Sequence, residues 1–160
     1  MMRNRSGQTT ETATNRFAIL TALAATLLVM AALVLAGPAQ AEPSSATENA
    51  VRGVIESQID AFRRDDANGA YRFAAPSIKQ RFPNPDIFMD MVRRGYAPVY
   101  RPQDFDFGTI TGTDAQVQQH VDIVGPNSEL WTAVYTLQRG SEGDWRITGV
   151  YLVKQPGISS

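Results

Sequence analysis

The chain has no cysteine and a single histidine, His120. Without thiols there is no disulfide framework, so a domain outside the cytoplasm would have to hold together by packing alone. Thiolate zinc sites, iron–sulfur clusters and a cysteine nucleophile are excluded, and one imidazole excludes a multi-histidine metal centre. No Asp-rich loop of calcium-binding spacing occurs. Gly53 and Gly69 stand alone, so no Gly-rich phosphate loop exists either. No Ser–His–Asp order can be assembled. The formal net charge is −1, which leaves no electrostatic footprint for nucleic acid. No metal and no cofactor is therefore expected, and an enzyme on this chain would have to use carboxylates, tyrosines and arginines.

There is one long hydrophobic run. Arg3, Arg5 and Arg16 form a basic leader, and Phe17–Ala36 is apolar except for Thr21 and Thr26. Gly37 and Pro38 break it, and Ala39-Gln40-Ala41 supplies the small-x-small pattern that a signal peptidase reads. Residues 1–41 are expected to be a signal peptide, cut between Ala41 and Glu42, which would place the protein in the periplasm or outside the cell. The alternative is a retained anchor, since 20 residues just span about 30 Å of hydrocarbon; membrane contact would then run through the leader alone. The leader holds three arginines and one glutamate, so the remaining Glu42–Ser160 carries a net charge of −3. Its 119 residues suffice for one compact domain. We expect a linker over 42–47, a single domain over 48–155 and a tail over 156–160.

Within that domain the period changes once. Val51, Val54, Ile55, Ile59 and Phe62 lie on one helical stripe, predicting a first helix over Thr47–Arg64 with Thr47 or Ser45 as its cap. Asp66 is placed to cap a second, short helix that Pro76 stops. Asn84-Pro85 opens a third, with Ile87, Phe88, Met91 and Val92 inward and Gly95 as a left-handed cap. Tyr96–Pro102 is read as extended because of Pro98 and Pro102. Strands follow. Phe105 and Phe107 alternate with aspartates, and Val117, Gln119, Val121 and Ile123 share a face opposite Gln118, His120 and Asp122. Trp131, Ala133, Tyr135 and Leu137 alternate next, and Trp145, Ile147, Gly149, Tyr151 and Val153 line the last strand, with Gly149 as a kink. Short turns join them into an antiparallel meander. Helices first and sheet second is an α+β layer fold, with the helices packed on a curved antiparallel sheet.

That element order resembles the cystatin-like, nuclear transport factor 2-like superfamily, a cone whose sheet wraps a long helix. Three stretches are more specifically similar to a bacterial family known as domain of unknown function 4864. They are Val54–Asp66, Met89–Pro102, and Trp131–Tyr135 with Trp145–Gly149. The resemblance implies fold and export but no activity, and superfold membership does not by itself assign chemistry.

Candidate sites were weighed against simpler roles. His120 and Asp122, two apart on one strand face, are the one place where an imidazole and a carboxylate could cooperate as a general base. Their face is opposite the apolar one, which points them to solvent. Asp65 and Asp66 are adjacent, and helical neighbours do not face the same way. The segment Arg93–Pro102 is the most distinctive: Arg94 and Arg101 could clamp an anion, with Tyr96 and Tyr100 as walls. The simpler roles are arginines complementing a helix C-terminus and tyrosines plugging the cone. Trp131 and Tyr135, with Trp145 and Tyr151, are core-facing by alternation and could line a ligand pocket.

The leading expectation is a non-enzymatic, exported binding or accessory module for a small ligand or an envelope protein. One alternative is a small cofactor-free lyase or isomerase with carboxylates or tyrosines inside the cone. Another is a structural module that homodimerises through an apolar outer sheet face of Leu130, Val134, Val150 and Leu152.

Overall fold

The computed structural model describes residues 42–157. The expected signal peptide, its cut site and the last three residues of the expected tail lie outside them. Among the described residues five helices precede four strands: α1 (Ser45–Arg63), α2 (Ala67–Tyr71), α3 (Pro76–Arg81), α4 (Pro85–Gly95), α5 (Ala97–Tyr100), β1 (Asp104–Gly112), β2 (Gln116–Val124), β3 (Leu130–Arg139) and β4 (Trp145–Lys154). The strands form one antiparallel sheet in the order β1-β2-β3-β4. This is the α+β layer fold that the change of period implies.

α1 starts earlier than expected, inside the stretch assigned to a linker. Ser44 is its cap and accepts from the Thr47 amide, while neither Thr47 nor Ser45 serves that role. The Asp114 carboxylate, in the β1–β2 turn, accepts from the Ser44 amide (2.9 Å), the Ser44 hydroxyl (2.9 Å) and the Thr47 hydroxyl (2.6 Å). These bonds, the Thr47 hydroxyl first, hold its pKa below the usual carboxylate value. The start of the helix layer is thereby tied to one end of the sheet.

The stripe Val51, Ile55, Ile59 and Phe62 is buried as its spacing requires, in one core with Val117, Val121, Ile123, Ala133 and Leu137 of the sheet. Each such side chain contributes about 1.5–3 kcal/mol on full burial. Asp66 caps α2, accepting from the Gly69 amide at 2.8 Å, and Asn84 caps α4 through the Ile87 amide at 2.9 Å.

Three helix expectations are corrected. Pro76 does not merely stop a helix; it occupies the first turn of α3, where the missing N–H costs nothing because that donor has no intrahelical partner. Pro98 sits in the first turn of α5, so Tyr96–Pro102 is not extended throughout. Gly95 ends α4 as a helical residue with Tyr96 as its C-cap, and it is not among the residues with positive φ.

In the sheet, β2 and β3 alternate as expected. The edge strands each carry one extra residue. On β1, Gly108 and Thr109 stand opposite His120 alone. Gln119, fully buried, repairs the gap by donating from Nε2 to the carbonyls of Gly108 (2.9 Å) and His120 (2.8 Å). On β4, Thr148 is the extra residue between Ile147 and Gly149. It inverts everything after it: Val150 and Leu152 pack on the core, while Tyr151 and Val153 are 52% and 43% exposed. The expected single face of Trp145, Ile147, Gly149, Tyr151 and Val153 is therefore wrong beyond Ile147. The expected outer apolar face changes its members for the same reason: Val150 and Leu152 face inward, Leu130 stays exposed, Val134 is buried between His120 and Tyr151 in the register, and Tyr151 and Val153 take the outer positions. Bulges bend the strands that carry them, and the irregularity anticipated at Gly149 belongs to its neighbour Thr148.

Candidate functional site

Between the helices and β4 lies a cavity of about 350 Å³. This falls within the range of small-molecule sites. One wall is aromatic. Phe88 of α4 stands 6.3 Å from Phe62, 6.4 Å from Phe82 and 5.5 Å from Tyr71, ring centre to ring centre. Phe88 is buried because α4 carries Phe88, Met89 and Val92 on its inner face. Ile78 of α3, Met91, Val99 and Val150 complete the apolar lining. Val150 reaches it because of the Thr148 bulge.

The polar groups on the lining are few. Gln58, 3% exposed, donates one Nε2 hydrogen to the Ala70 carbonyl and spends its other amide donor and its Oε1 on no described residue. The Tyr96 hydroxyl donates to the Val150 carbonyl (3.2 Å) and the Thr148 hydroxyl to the Thr136 carbonyl (3.1 Å). Arg81, exposed at the end of α3, is the one charged residue of the lining among the described residues. No carboxylate or imidazole of the described residues reaches it.

The residues expected from sequence do not converge on one place. Tyr96 lines the cavity. Tyr100 and Arg101 belong to a separate exposed cluster centred on Asp65. Asp65 follows α1 with φ 56°, in a Schellman turn in which its amide donates to the Phe62 carbonyl and the Asp66 amide donates to the Ala61 carbonyl. Its carboxylate accepts from the Tyr100 hydroxyl, from Arg101 Nη2 at 2.6 Å and from Arg93 Nη2 at 3.5 Å. The Tyr100 hydroxyl foremost, then the Arg101 guanidinium, hold the Asp65 carboxyl below the usual range. Arg101 Nη1 also donates to the Arg63 carbonyl (2.8 Å), and Arg93 Nε donates to Tyr100 Oη (3.1 Å). The guanidiniums of Arg101 and Arg93 lie 4.9 and 5.7 Å from the Tyr100 ring centre. Arg94, expected to share this work, is exposed and bonds to none of the described residues.

Tyr135 is fully buried on the inner face of β3, outside the cavity, and its hydroxyl has no partner among the described residues. Burial pushes its pKa up. Trp131 lines a shallower depression on the sheet with Asp104, Asp106, Asp122 and Gln155. His120 and Asp122 share the polar face of β2; no bond joins them, and Asp122 accepts instead from the Thr132 hydroxyl at 2.9 Å. They are thus on the sheet face away from the cavity, which leaves the general-base pairing without a site to serve.

One residue and one pairing escaped the sequence. Arg81 sits on a helix that the reading of Pro76 as a stop removed, and Pro at a first helical position was the signal for it. Asp65 is joined to Arg101 across 36 positions, and no local pattern announces that.

No curated protein matches the chain. It is similar to the solved structure of an NTF-2-like protein of unknown function from Silicibacter pomeroyi DSS-3, at 15% identity and a TM-score of 0.49, over 70% of this chain and 100% of that one. The family model described as Domain of unknown function (DUF4864) matches residues 44–160, which takes in every helix and strand above, and the chain belongs to that family.

Proposed function

We propose that this domain is an exported, non-enzymatic module that binds a small apolar ligand in the cavity between its helices and β4. The observation that carries this is the lining itself: aromatic and aliphatic side chains with few polar groups, of a volume that suits a small molecule. Export rests on the leader ahead of the domain. The lyase or isomerase alternative meets no carboxylate or imidazole on the lining among the described residues, and the hydroxyl of the lining's Tyr96 is bonded to the Val150 carbonyl; the outer-face dimer keeps Leu130 and Val134 of the set it was built on and loses Val150 and Leu152.

The test starts from the full chain expressed in a bacterial host. The protein should be recovered from the periplasm beginning at Glu42 and should enhance the fluorescence of N-phenyl-1-naphthylamine, a neutral apolar probe. Met91→Trp, which fills the cavity from α4, should weaken probe binding at least tenfold. Ile78→Phe, filling it from α3, guards against a variant that merely misfolds, since overpacking costs about 1–3 kcal/mol. Absence of enhancement in the wild type, or equal binding by both folded variants, overturns the cavity as a ligand site. Retention of the whole leader overturns the cut.

A further inference from the structure

We infer that the ligand of this cavity is an amphiphilic anion, with its apolar body against Phe88, Met91 and Val150 and its single negative head paired with Arg81 at the mouth. The inference rests on the binding function proposed above and narrows it to a chemical class.

The argument begins with how the arginines of the described residues are spent. Arg52 pairs with Glu48, Arg63 with Asp60, Arg93 with Asp65 and Asp90, Arg101 with Asp65, and Arg146 with Asp144. Arg139 donates to the Gly143 carbonyl and Arg72 lies over the Phe73 ring. Arg64, Arg81 and Arg94 have no such partner among the described residues, and of these three Arg81 alone lines the cavity. An unpaired surface arginine is ordinary. One at the opening of an apolar chamber, with no acidic residue among the described lining, sets a local positive potential that no carboxylate of that lining cancels.

The same lining excludes other ligand classes. A cation would meet Arg81 and find no carboxylate. A sugar or other polyol needs many directed hydrogen bonds, yet the Tyr96 and Thr148 hydroxyl hydrogens are already given to backbone carbonyls, and among the described lining only the Gln58 amide has a donor and an acceptor to spare. A purely apolar ligand fits the body of the cavity but leaves the guanidinium unused. A carboxylate, sulfonate or phosphate monoester head suits Arg81, because the planar guanidinium offers paired donors to such oxygens. Keeping the head at the exposed mouth also avoids the cost of burying a charge.

The test uses octanoate and octan-1-ol, which share a chain and differ in head charge, as competitors of the neutral probe N-phenyl-1-naphthylamine at pH 7.5. In the wild type, octanoate should displace the probe more effectively than octanol by about fivefold, the size of an exposed charge pair. In Arg81→Gln that preference should vanish when both competitors are read against the variant's own probe affinity. Arg81→Lys should restore part of it, and raising the salt concentration should shrink the wild-type preference towards unity. An octanoate-to-octanol ratio that is the same in wild type and Arg81→Gln overturns the anionic head, and Arg81 then only complements the C-terminal end of α3. That result leaves the apolar site standing, because the probe still binds. Loss of probe binding in the wild type is the separate failure that removes the site itself.

Discussion

Two arginine-bearing regions of this domain house positive charge in opposite ways. At the α4–α5 rim, Arg93 and Arg101 converge on one carboxylate and flank one tyrosine ring. At the cavity mouth, Arg81 stands with no described partner. The rim is dense in arginine and tyrosine, and its key donors are already committed inside the molecule. Among the described residues the mouth has one charge, and no described residue pairs with it. A cluster of basic residues thus measures how much charge the fold must accommodate, and an uncommitted group beside a cavity measures what remains for a ligand.

The contrast can be broken most forcefully from the cavity side. Phe88→Ala removes the ring that touches Phe62, Phe82 and Tyr71, and should destabilise the domain by about 3–5 kcal/mol, read from urea unfolding. A loss under about 1 kcal/mol would mean that the aromatic wall lines the cavity without holding the helices. From the rim side, Asp65→Asn keeps a side chain that tolerates positive φ but removes the charge. The native Asp65 carboxyl titrates below its unfolded value, so its stabilisation is full above about pH 4 and is lost as pH falls through the lower native value. Wild type should therefore exceed the variant at pH 7 and converge with it in strong acid, with probe binding unchanged throughout. Equal stability of the two at every pH would show that Asp65 acts through its backbone alone. The smallest effect is expected at Tyr135. Its buried hydroxyl lacks a partner among the described residues, so Tyr135→Phe should leave stability unchanged or raise it by up to about 1 kcal/mol. Thermal unfolding that shows a clear loss would mean that the hydroxyl is bonded after all.

Much of the scaffold was legible because it obeys local rules. The α1 stripe, the Asp66 and Asn84 caps and the alternation of β2 and β3 each follow from periodicity or from the need to satisfy free amides. Proline is the least legible helix signal here: Pro76 and Pro98 look like breakers in the sequence and sit in first turns in the fold. The site was less legible. Tyr135 does point inward, but inward in mid-sheet is core, and the cavity lies towards the helices. Tyr100 and Arg101 attracted attention by composition, whereas their partner Asp65 is fixed by a turn 35 residues away. Arg81 went unseen together with its helix.

The extra residue at Thr148 has a consequence of another kind. Along a strand, inside and outside are assigned by parity, much as a reading frame assigns codons, and one insertion reverses every later assignment. Val150 faces the cavity, and Tyr151 faces water, because β4 counts one more residue than β3 between the same two pairings. A side chain built on Gly149 would meet nothing within 4 Å, so its neighbourhood does not demand a glycine. What the chamber demands of this edge is a number of residues, and a sequence drifting freely in composition there keeps its pocket as long as it keeps its count.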